Sequence, residues 1–470
     1  MKTKTLFQSK LINIKTISFG LMFFINFFAF SQSPNVVLIL ADDLGYNDVG
    51  FNGSTEIPTP NIDRIANEGV KFTNGYVSYA VCGPSRAGLI TGRFQDRFGF
   101  GLNPLYAPKD PNMGLPLSEE TLASALQKAN YKSVAIGKWH LGAHELLHPL
   151  KRGFDDFYGF LTGGHMYFPE QLTIQDQSGV KSQYDAYREK ILRNYERVEE
   201  TEYLTDGLSR EAVNYIKKYK DEPFFIYLAY NAPHTPLQAT QKYLDRFPNI
   251  EDKKRKTYAA MVSAVDDGVG AVLNTLEELN LDENTIVIFL SDNGGPEKHN
   301  ASDNGVLRGE KGSLFEGGVH VPFAMKWPKA IPQGMIYEKP VISLDLFATV
   351  VAQSNIQTKN KLDGVNLIPY LQGEKELDDR PFFWKQFNKN SYGLRLGDYK
   401  YLQLNNQKEN MLFNLEEDIS ETSNLYETKS ATFLALKEEF EKLNKEMKDP
   451  IFMGLSQGKE YNELHPDRFE

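Results

Sequence analysis

Four short apolar runs in this 470-residue chain each end abruptly in polar residues. VVLIL (Val36 to Leu40) runs into ADDLG, SVAIG (Ser133 to Gly137) into KWHLG, FFIYLAY (Phe224 to Tyr230) into NAPHTP, and TIVIFL (Thr285 to Leu290) into SDNGG. Continuous β-branched and aromatic runs this short read as strands buried on both faces, as in a parallel sheet. Helical patterns lie between them. Ser118 opens SEETLASALQKAN as a candidate N-cap, with Leu122, Ala125, Leu126 and Ala129 on one face. TYAAMVSAVDDGVGAVLNTLEELN repeats Met261, Val265, Val269, Val272 and Leu276 at helical spacing. The alternation predicts an α/β fold, a large, mainly parallel sheet flanked by helices. Such sheets bind ligands beyond the carboxyl ends of their strands. The polar residues after the runs are therefore expected to converge on one rim.

From about Asn355 the alternation fades. PFFWKQF, YGLRLGDYKYLQL and MLFNL, between Arg380 and Leu415, read as antiparallel strands of a smaller C-terminal subdomain, followed by a charged helix from about Ala431 to Met447. The expected division is a leader over 1–33, a main domain over 34–355 and the subdomain over 356–470. The leader carries lysines and no acid in MKTKTLFQSKLINIKTISFG, then the apolar LMFFINFFAF, then SQS. That order is a signal peptide cleaved near Ala29 to Ser33, and the run is short for a membrane span. The expected mature protein is exported, periplasmic or secreted, with no stable membrane span. A net charge of −10 without a basic run excludes nucleic acid as a partner. The polar stretch Thr173 to Tyr203 is expected to be an insertion over the site.

Asp42 and Asp43 end the first run, and Asp292 and Asn293 end the fourth. Adjacent carboxylates are costly unless solvated or neutralised by a cation, and this oxygen set suits Ca2+ or Mg2+ rather than zinc. A solvated turn explains Asp42 and Asp43 taken alone. Asp303 and Asn304 follow no strand and read as loop; Asp266 and Asp267 read as a solvated helix face or local support. Lys138 and His140 alternate after the second run, so an extended segment would point both to one side and Trp139 into packing. They would offer charge and an acid/base group to an anion. His234 stands between prolines in NAPHTP, in a loop read as exposed, while His144, His148 and His165 are read as peripheral. Lys311 lies in the glycine-rich LRGEKGSLFEGG, which lacks P-loop spacing. YAVCGPSRAGLITGR holds the only cysteine, Cys82, which has no intrachain disulfide partner. Arg86 is expected at a helix start, where N–H groups favour an anion.

CGPSR followed by AGLITGR resembles the C-x-P-S-R…T-G-R signature of the formylglycine-dependent (type I) sulfatases. ADDLG, GKWHLG, APHTP, SDNGG and LRGEKGSLFEGG accompany it in that family's order, over roughly residues 34 to 330, and RLGDYKYL and LFNLEEDISETSNL resemble its C-terminal subdomain. The resemblance implies an alkaline-phosphatase-like fold and a Cys82 oxidised to Cα-formylglycine by a separate formylglycine-generating or sulfatase-maturating enzyme. It implies that Asp42, Asp43, Asp292 and Asn293, with residue 82, hold Ca2+. Arg86 would support the formylglycine, Lys138 and Lys311 would bind sulfate oxygens, His140 would contact the hydrated aldehyde, and His234 would stand near the leaving oxygen. One hydroxyl of the hydrate attacks sulfur; the other expels sulfate and restores the aldehyde. His320 stands where many relatives carry Arg, which is expected to alter support for Lys311.

The implied activity is hydrolysis of sulfate esters, with a sulfated poly- or oligosaccharide preferred as substrate over a small aryl sulfate. The alternatives are a phosphonate or phosphate monoester hydrolase of the same superfamily, or a non-catalytic sulfated-glycan binding protein.

Overall fold

The pairing register of four strands decides which side chains meet. The computed structural model describes residues 33–405 and 408–469, so the expected leader lies outside the described residues apart from Ser33. The strands are β1 (Asn35–Ala41), β2 (Val70–Phe72), β3 (Gly75–Tyr76), β4 (Lys132–Lys138), β5 (Asp156–Phe160), β6 (Ile191–Arg193), β7 (Glu196–Val198), β8 (Phe224–Ala229), β9 (Thr285–Ser291), β10 (Phe323–Lys326), β11 (Met335–Tyr337), β12 (Val341–Ile342), β13 (Phe382–Gln386), β14 (Ser391–Leu396), β15 (Tyr399–Leu404) and β16 (Glu409–Asn414). Ten of them form one mixed sheet in the order β11-β2-β10-β9-β1-β8-β4-β5-β6-β7. Its centre, β9-β1-β8-β4-β5, is parallel throughout. β10 and the β6–β7 pair are antiparallel to their neighbours.

All seven residues of β1 are buried, and they alternate between two cores. Val36, Leu38 and Leu40 belong to one apolar cluster and Val37, Ile39 and Ala41 to the other, as a strand with period two covered on both faces requires. The longer helices, of eight or more residues, are α1 (Pro60–Asn67), α2 (Cys82–Thr91), α3 (Leu204–Tyr219), α4 (Lys253–Glu278), α5 (Leu344–Gln353) and α6 (Ser430–Asn444). Residues of α1, α3 and α4 pack in the second cluster. Those of α2 and α5 pack in the first, with Phe383, Trp384, Leu394 and Tyr401 of the antiparallel β13–β16 sheet and Phe433 and Phe440 of α6.

One local expectation is corrected and two are refined. Thr121, not Ser118, caps the short helix Leu122–Leu126: its hydroxyl accepts from Ser124 N, and Ser124 answers it in a capping box. The stretch Thr173 to Tyr203, expected as an insertion, also carries β6 and β7, which extend the edge of the main sheet. Their three-residue length leaves no periodic signal. Asp266 is not solvated but local support: it accepts from Asn61 N and Ile62 N at 2.9 and 2.8 Å, satisfying free N–H groups at the start of α1. Among the described residues no helix is long and apolar enough to cross a membrane.

Candidate active site

Ala41 pairs with Ser291, so Asp42 and Asp292 leave the sheet side by side. Ala229 pairs with both Leu40 and Gly137, so Lys138 and the loop carrying His234 emerge at the same level. Asp42 Oδ2 accepts from Lys138 Nζ at 2.5 Å, with Arg86 Nη2 3.7 Å away. Arg86 is fully buried and donates through Nε to Asp292 Oδ2 at 2.8 Å and through Nη1 to the Lys138 carbonyl at 3.0 Å. Asp43, at φ 65°, turns the chain. Its Oδ1 takes Lys311 Nζ at 2.5 Å and Asn293 Nδ2 at 2.7 Å, and its Oδ2 lies 3.7 Å from His234 Nε2.

Cys82 is the first residue of α2 and only 2 % exposed. Its Sγ lies 3.4 Å from Asp42 Oδ1, 3.9 Å from Asp43 Oδ1 and 3.1 Å from Lys311 Nζ. Burial, and then the charge of Asp292, push the thiol far above the ordinary cysteine range. An unmodified Cys82 is therefore a poor nucleophile, because the thiolate is the reactive form. Gly83 N donates to Asn103 Oδ1 at 2.8 Å, satisfying one N–H of the helix start.

The acidic groups crowd together. Asp42, Asp43, Cys82 and Asp292 each place one ligand atom within 4.8 Å of the others. Asn293 Oδ1, buried beside them, has no hydrogen-bond partner among the described residues. Burial and then the neighbouring Asp42 raise the Asp292 carboxyl. Burial also raises Asp43, but the charges of Lys311, His234 and Lys138 overcome it and hold Asp43 below the usual carboxylate range. Three buried carboxylates with an unpartnered amide oxygen are a hard donor set that fits a divalent cation of the Ca2+ or Mg2+ kind.

Both histidines at the site are held neutral. Burial, then Lys138 and Arg86, push His140 well below the ordinary imidazole range. Burial also lowers His234; Asp43 opposes it, Lys138 and Lys311 add to it, and the result is about 3. His234 Nδ1 pairs with the Thr235 carbonyl at 2.6 Å, leaving Nε2 toward Asp43. Lys311 stays protonated: burial disfavours its charge, but Asp43 and the other acids raise it well above the lysine range.

The structure brings together every site residue named from the sequence, though not always by the expected route. Lys138 ends β4, but His140 has φ 59° and is not extended. A left-handed residue, rather than simple alternation, brings His140 in. Trp139 does turn into packing, donating to the Leu147 carbonyl at 3.0 Å. Arg86 lies in the second turn of α2, because the helix starts at Cys82. His234 is half-buried rather than exposed. His320 does not touch Lys311: it faces Glu316 Oε2 at 3.0 Å and the Thr73 carbonyl at 2.9 Å, and stacks on Tyr76. Asn304 lies in a loop, yet is buried and accepts from Gly295 N at 3.1 Å. His144 and His148 accept from backbone N–H groups at short helical turns, and His165 is buried between two carbonyls.

Three contributors have no motif to announce them. Tyr167 donates to the carbonyls of Asn231 and His234 at 2.6 and 2.7 Å and steadies that loop. Asn300 Nδ2 donates to the Asp43 carbonyl at 3.0 Å. Tyr187 is raised by burial and then by the charge of Cys82, so its hydroxyl lies within electrostatic reach of the site.

A buried cysteine at a helix start, set beside a carboxylate cluster and two lysines on the rim of a parallel-centred sheet, is an arrangement suited to an anionic ester. The chain belongs to the sulfatase family: the family model described as "Sulfatase" matches residues 34–356. A second, "N-sulphoglucosamine sulphohydrolase, C-terminal", matches residues 309–449. The protein is a sulfuric ester hydrolase. Human N-acetylgalactosamine-6-sulfatase is 35% identical over 370 residues, 75% of this chain and 68% of that one. The structure of Ps i-CgsB in complex with k-i-k-neocarrahexaose matches at TM-score 0.86 and 40% identity, covering 93% of this chain and 100% of the other. PsFucS1 sulfatase from Pseudoalteromonas sp. matches at TM-score 0.74 and 25% identity, over 90% of this chain and 92% of the other. The fold is the alkaline-phosphatase-like one of these neighbours.

Proposed function

We propose that this protein removes sulfate from a sulfated glycan of the carrageenan type, using Cα-formylglycine made from Cys82 and a Ca2+ ion held by Asp42, Asp43, Asp292 and Asn293. The observation that carries the reading is the position of Cys82 Sγ, within 4 Å of two carboxylates and an ammonium at the start of a helix. The glycan class comes from the neocarrahexaose bound by the 40% identical Ps i-CgsB. Residues 34–355 would form the catalytic domain and 356–470 a subdomain, with the leader 1–33 directing export and a maturation enzyme acting on Cys82.

The thiol sulfur stands in for the oxygens of a hydrated aldehyde. That hydrate would supply one hydroxyl to attack sulfur and a second, once deprotonated, to expel sulfate. The cation supplies positive charge against the oxygens that repel a nucleophile. Lys138 and Lys311 bind the sulfate oxygens from fixed positions, so their charge needs no reorganisation as the ester reacts. Arg86, tied to Asp292 and to the Lys138 carbonyl, holds both in place. Neutral His140 accepts the proton of the second hydroxyl. His234 Nε2, unprotonated while Nδ1 donates to the Thr235 carbonyl, would take the proton of the attacking hydroxyl and pass it to the departing alcohol. An ester anion lying against both lysines would offset their repulsion of a charged His234, which adds to burial in keeping it neutral.

The test is release of inorganic sulfate from k-i-k-neocarrahexaose by the matured protein, beside a panel of phosphate and phosphonate monoesters. Sulfate release is expected. Preference for a phosphorus ester, or no sulfate release by formylglycine-bearing protein, would overturn the reading.

A further inference from the structure

Two cavities border the site, and neither belongs to the reacting groups themselves. The first, about 230 Å3, is lined by Val81, Asn103, Gly312, Gln386, Lys389 and Leu455 among others. It abuts the edge of the site formed by Cys82 and Lys311, because Val81 precedes Cys82 and Gly312 follows Lys311. The second, about 350 Å3, is lined by Lys181, Gln183, Tyr184, Tyr187, Leu455 and Arg468 among others. It abuts the His140 edge. Tyr187 packs on Gly164, and its neighbour Gly163 packs on the His140 ring; a Cβ on either glycine would meet these rings at 2.7 and 2.6 Å. Leu455 lines both cavities, so they lie side by side with that residue between them.

Their charge is selective. The chain carries −10 overall, yet Lys181, Arg468 and Lys389 line these two cavities and no Asp or Glu does. A larger cavity of about 750 Å3, near β11, is lined by four acids, Glu338, Asp379, Asp398 and Glu416, against two cations, Lys339 and Arg395. Cationic lining is therefore not a general property of this surface. Lys389 Nζ donates to the Gly312 carbonyl, and burial alone, with no facing carboxylate, lowers its proton affinity. An ammonium left beside a carbonyl gains from an incoming anion. Tyr184 is 74% exposed, its ring edge-on to Tyr187 at 5.9 Å, which leaves an aromatic face free for an apolar ring surface.

We propose that the two cavities form one cleft in which a sulfated glycan lies as an extended chain, with Lys181 and Lys389 meeting its anionic groups and Tyr184 stacking on a sugar, so that sulfate is removed from units within the chain. This rests on the sulfatase reading above and adds where along the chain the enzyme acts. A cleft continuing past two edges of the site admits sugars on both sides of the reacting one; a terminal-unit enzyme needs space on one side only.

The experiment uses protein whose formylglycine has been verified, with carrageenan oligosaccharides from disaccharide to hexasaccharide. Tandem mass spectrometry locates the desulfated unit, and sulfate release gives kcat/KM. Loss of sulfate from internal units is expected, with kcat/KM rising about tenfold from disaccharide to hexasaccharide. Lys181→Ala, Tyr184→Ala and Lys389→Ala, all exposed positions, are expected to lower kcat/KM on the hexasaccharide about fivefold more than on the disaccharide. Desulfation confined to a terminal unit, or rates and variant effects independent of length, overturn the cleft and leave the sulfatase reading standing. No sulfate release at any length overturns both.

Discussion

Lys138 and Lys311 approach the same carboxylate pair from environments of different depth, and that separates what each can be expected to do. Lys138 is fully buried against a fully buried Asp42, whereas the Lys311 side chain is 17% exposed beside Asp43. Lys311→Ala is expected to lower kcat/KM by about 10²–10³, with a smaller fall in melting temperature than Lys138→Ala, because Lys311 is partly exposed and Asp43 keeps the Asn293 hydrogen bond. Lys138→Ala is expected to lose activity and also about 3–5 kcal/mol of stability in chelator, because it leaves a buried carboxylate without its partner. Thermal melting beside sulfate release distinguishes the two. Equal melting temperatures for both variants would contradict this account of the site's electrostatics. The same residues show what a chain of letters conveys. Asp42, Asp292 and Lys138 were legible because each ends an apolar run, and the register of a parallel sheet levels such ends. His140 was legible as a residue but not in its backbone geometry, since a left-handed φ at a non-glycine position leaves no pattern in the sequence.

At the scale of elements, β4 must deliver Lys138 to the rim while lying against β8, and Gly137 permits it. Gly137 has φ +95°, and a Cβ there would stand 2.0 Å from the Ala229 carbonyl oxygen. Gly137→Ala is expected to push β4 from β8, lowering stability by more than about 2 kcal/mol and abolishing sulfate release; a melting temperature within error of the parent would contradict that. The buried central strands and α4 were readable from hydrophobic pattern. β6, β7 and the true cap Thr121 were not. Strands of three residues in a polar stretch carry no period, and Thr121 and Ser118 are both good caps that only packing of the following turn separates. His320 shows a different limit. Its partner Glu316 is one turn away, but the Lys400 ammonium, 2.7 Å from Glu316 and 3.0 Å from Glu421, comes from the distant C-terminal sheet.

For the whole molecule, two charge imbalances set how stability responds to conditions. The carboxylates of Asp42, Asp43 and Asp292 would be relieved of their mutual repulsion by the proposed divalent cation, so Ca2+ is expected to raise the melting temperature and a chelator to lower it and abolish turnover. A melting temperature indifferent to both would argue against the cation. Asp96 lies away from that cluster, and burial raises its carboxyl from 3.8 to about 7 against the opposing charge of Lys385. Its folded form holds the proton more tightly than the unfolded form, so this group's stabilising effect is present at low pH and is lost as pH rises through about 7. Asp96→Asn removes the loss: its gain in melting temperature over the parent is expected to grow between about pH 5 and pH 8, and a constant difference would sink the assignment. The central claim concerns one residue of the whole chain. Mass spectrometry of the peptide spanning Tyr79 to Arg93, from protein that releases sulfate, tests it most directly. The account predicts the mass of Cα-formylglycine at position 82. An unmodified cysteine throughout a fully active preparation would contradict it.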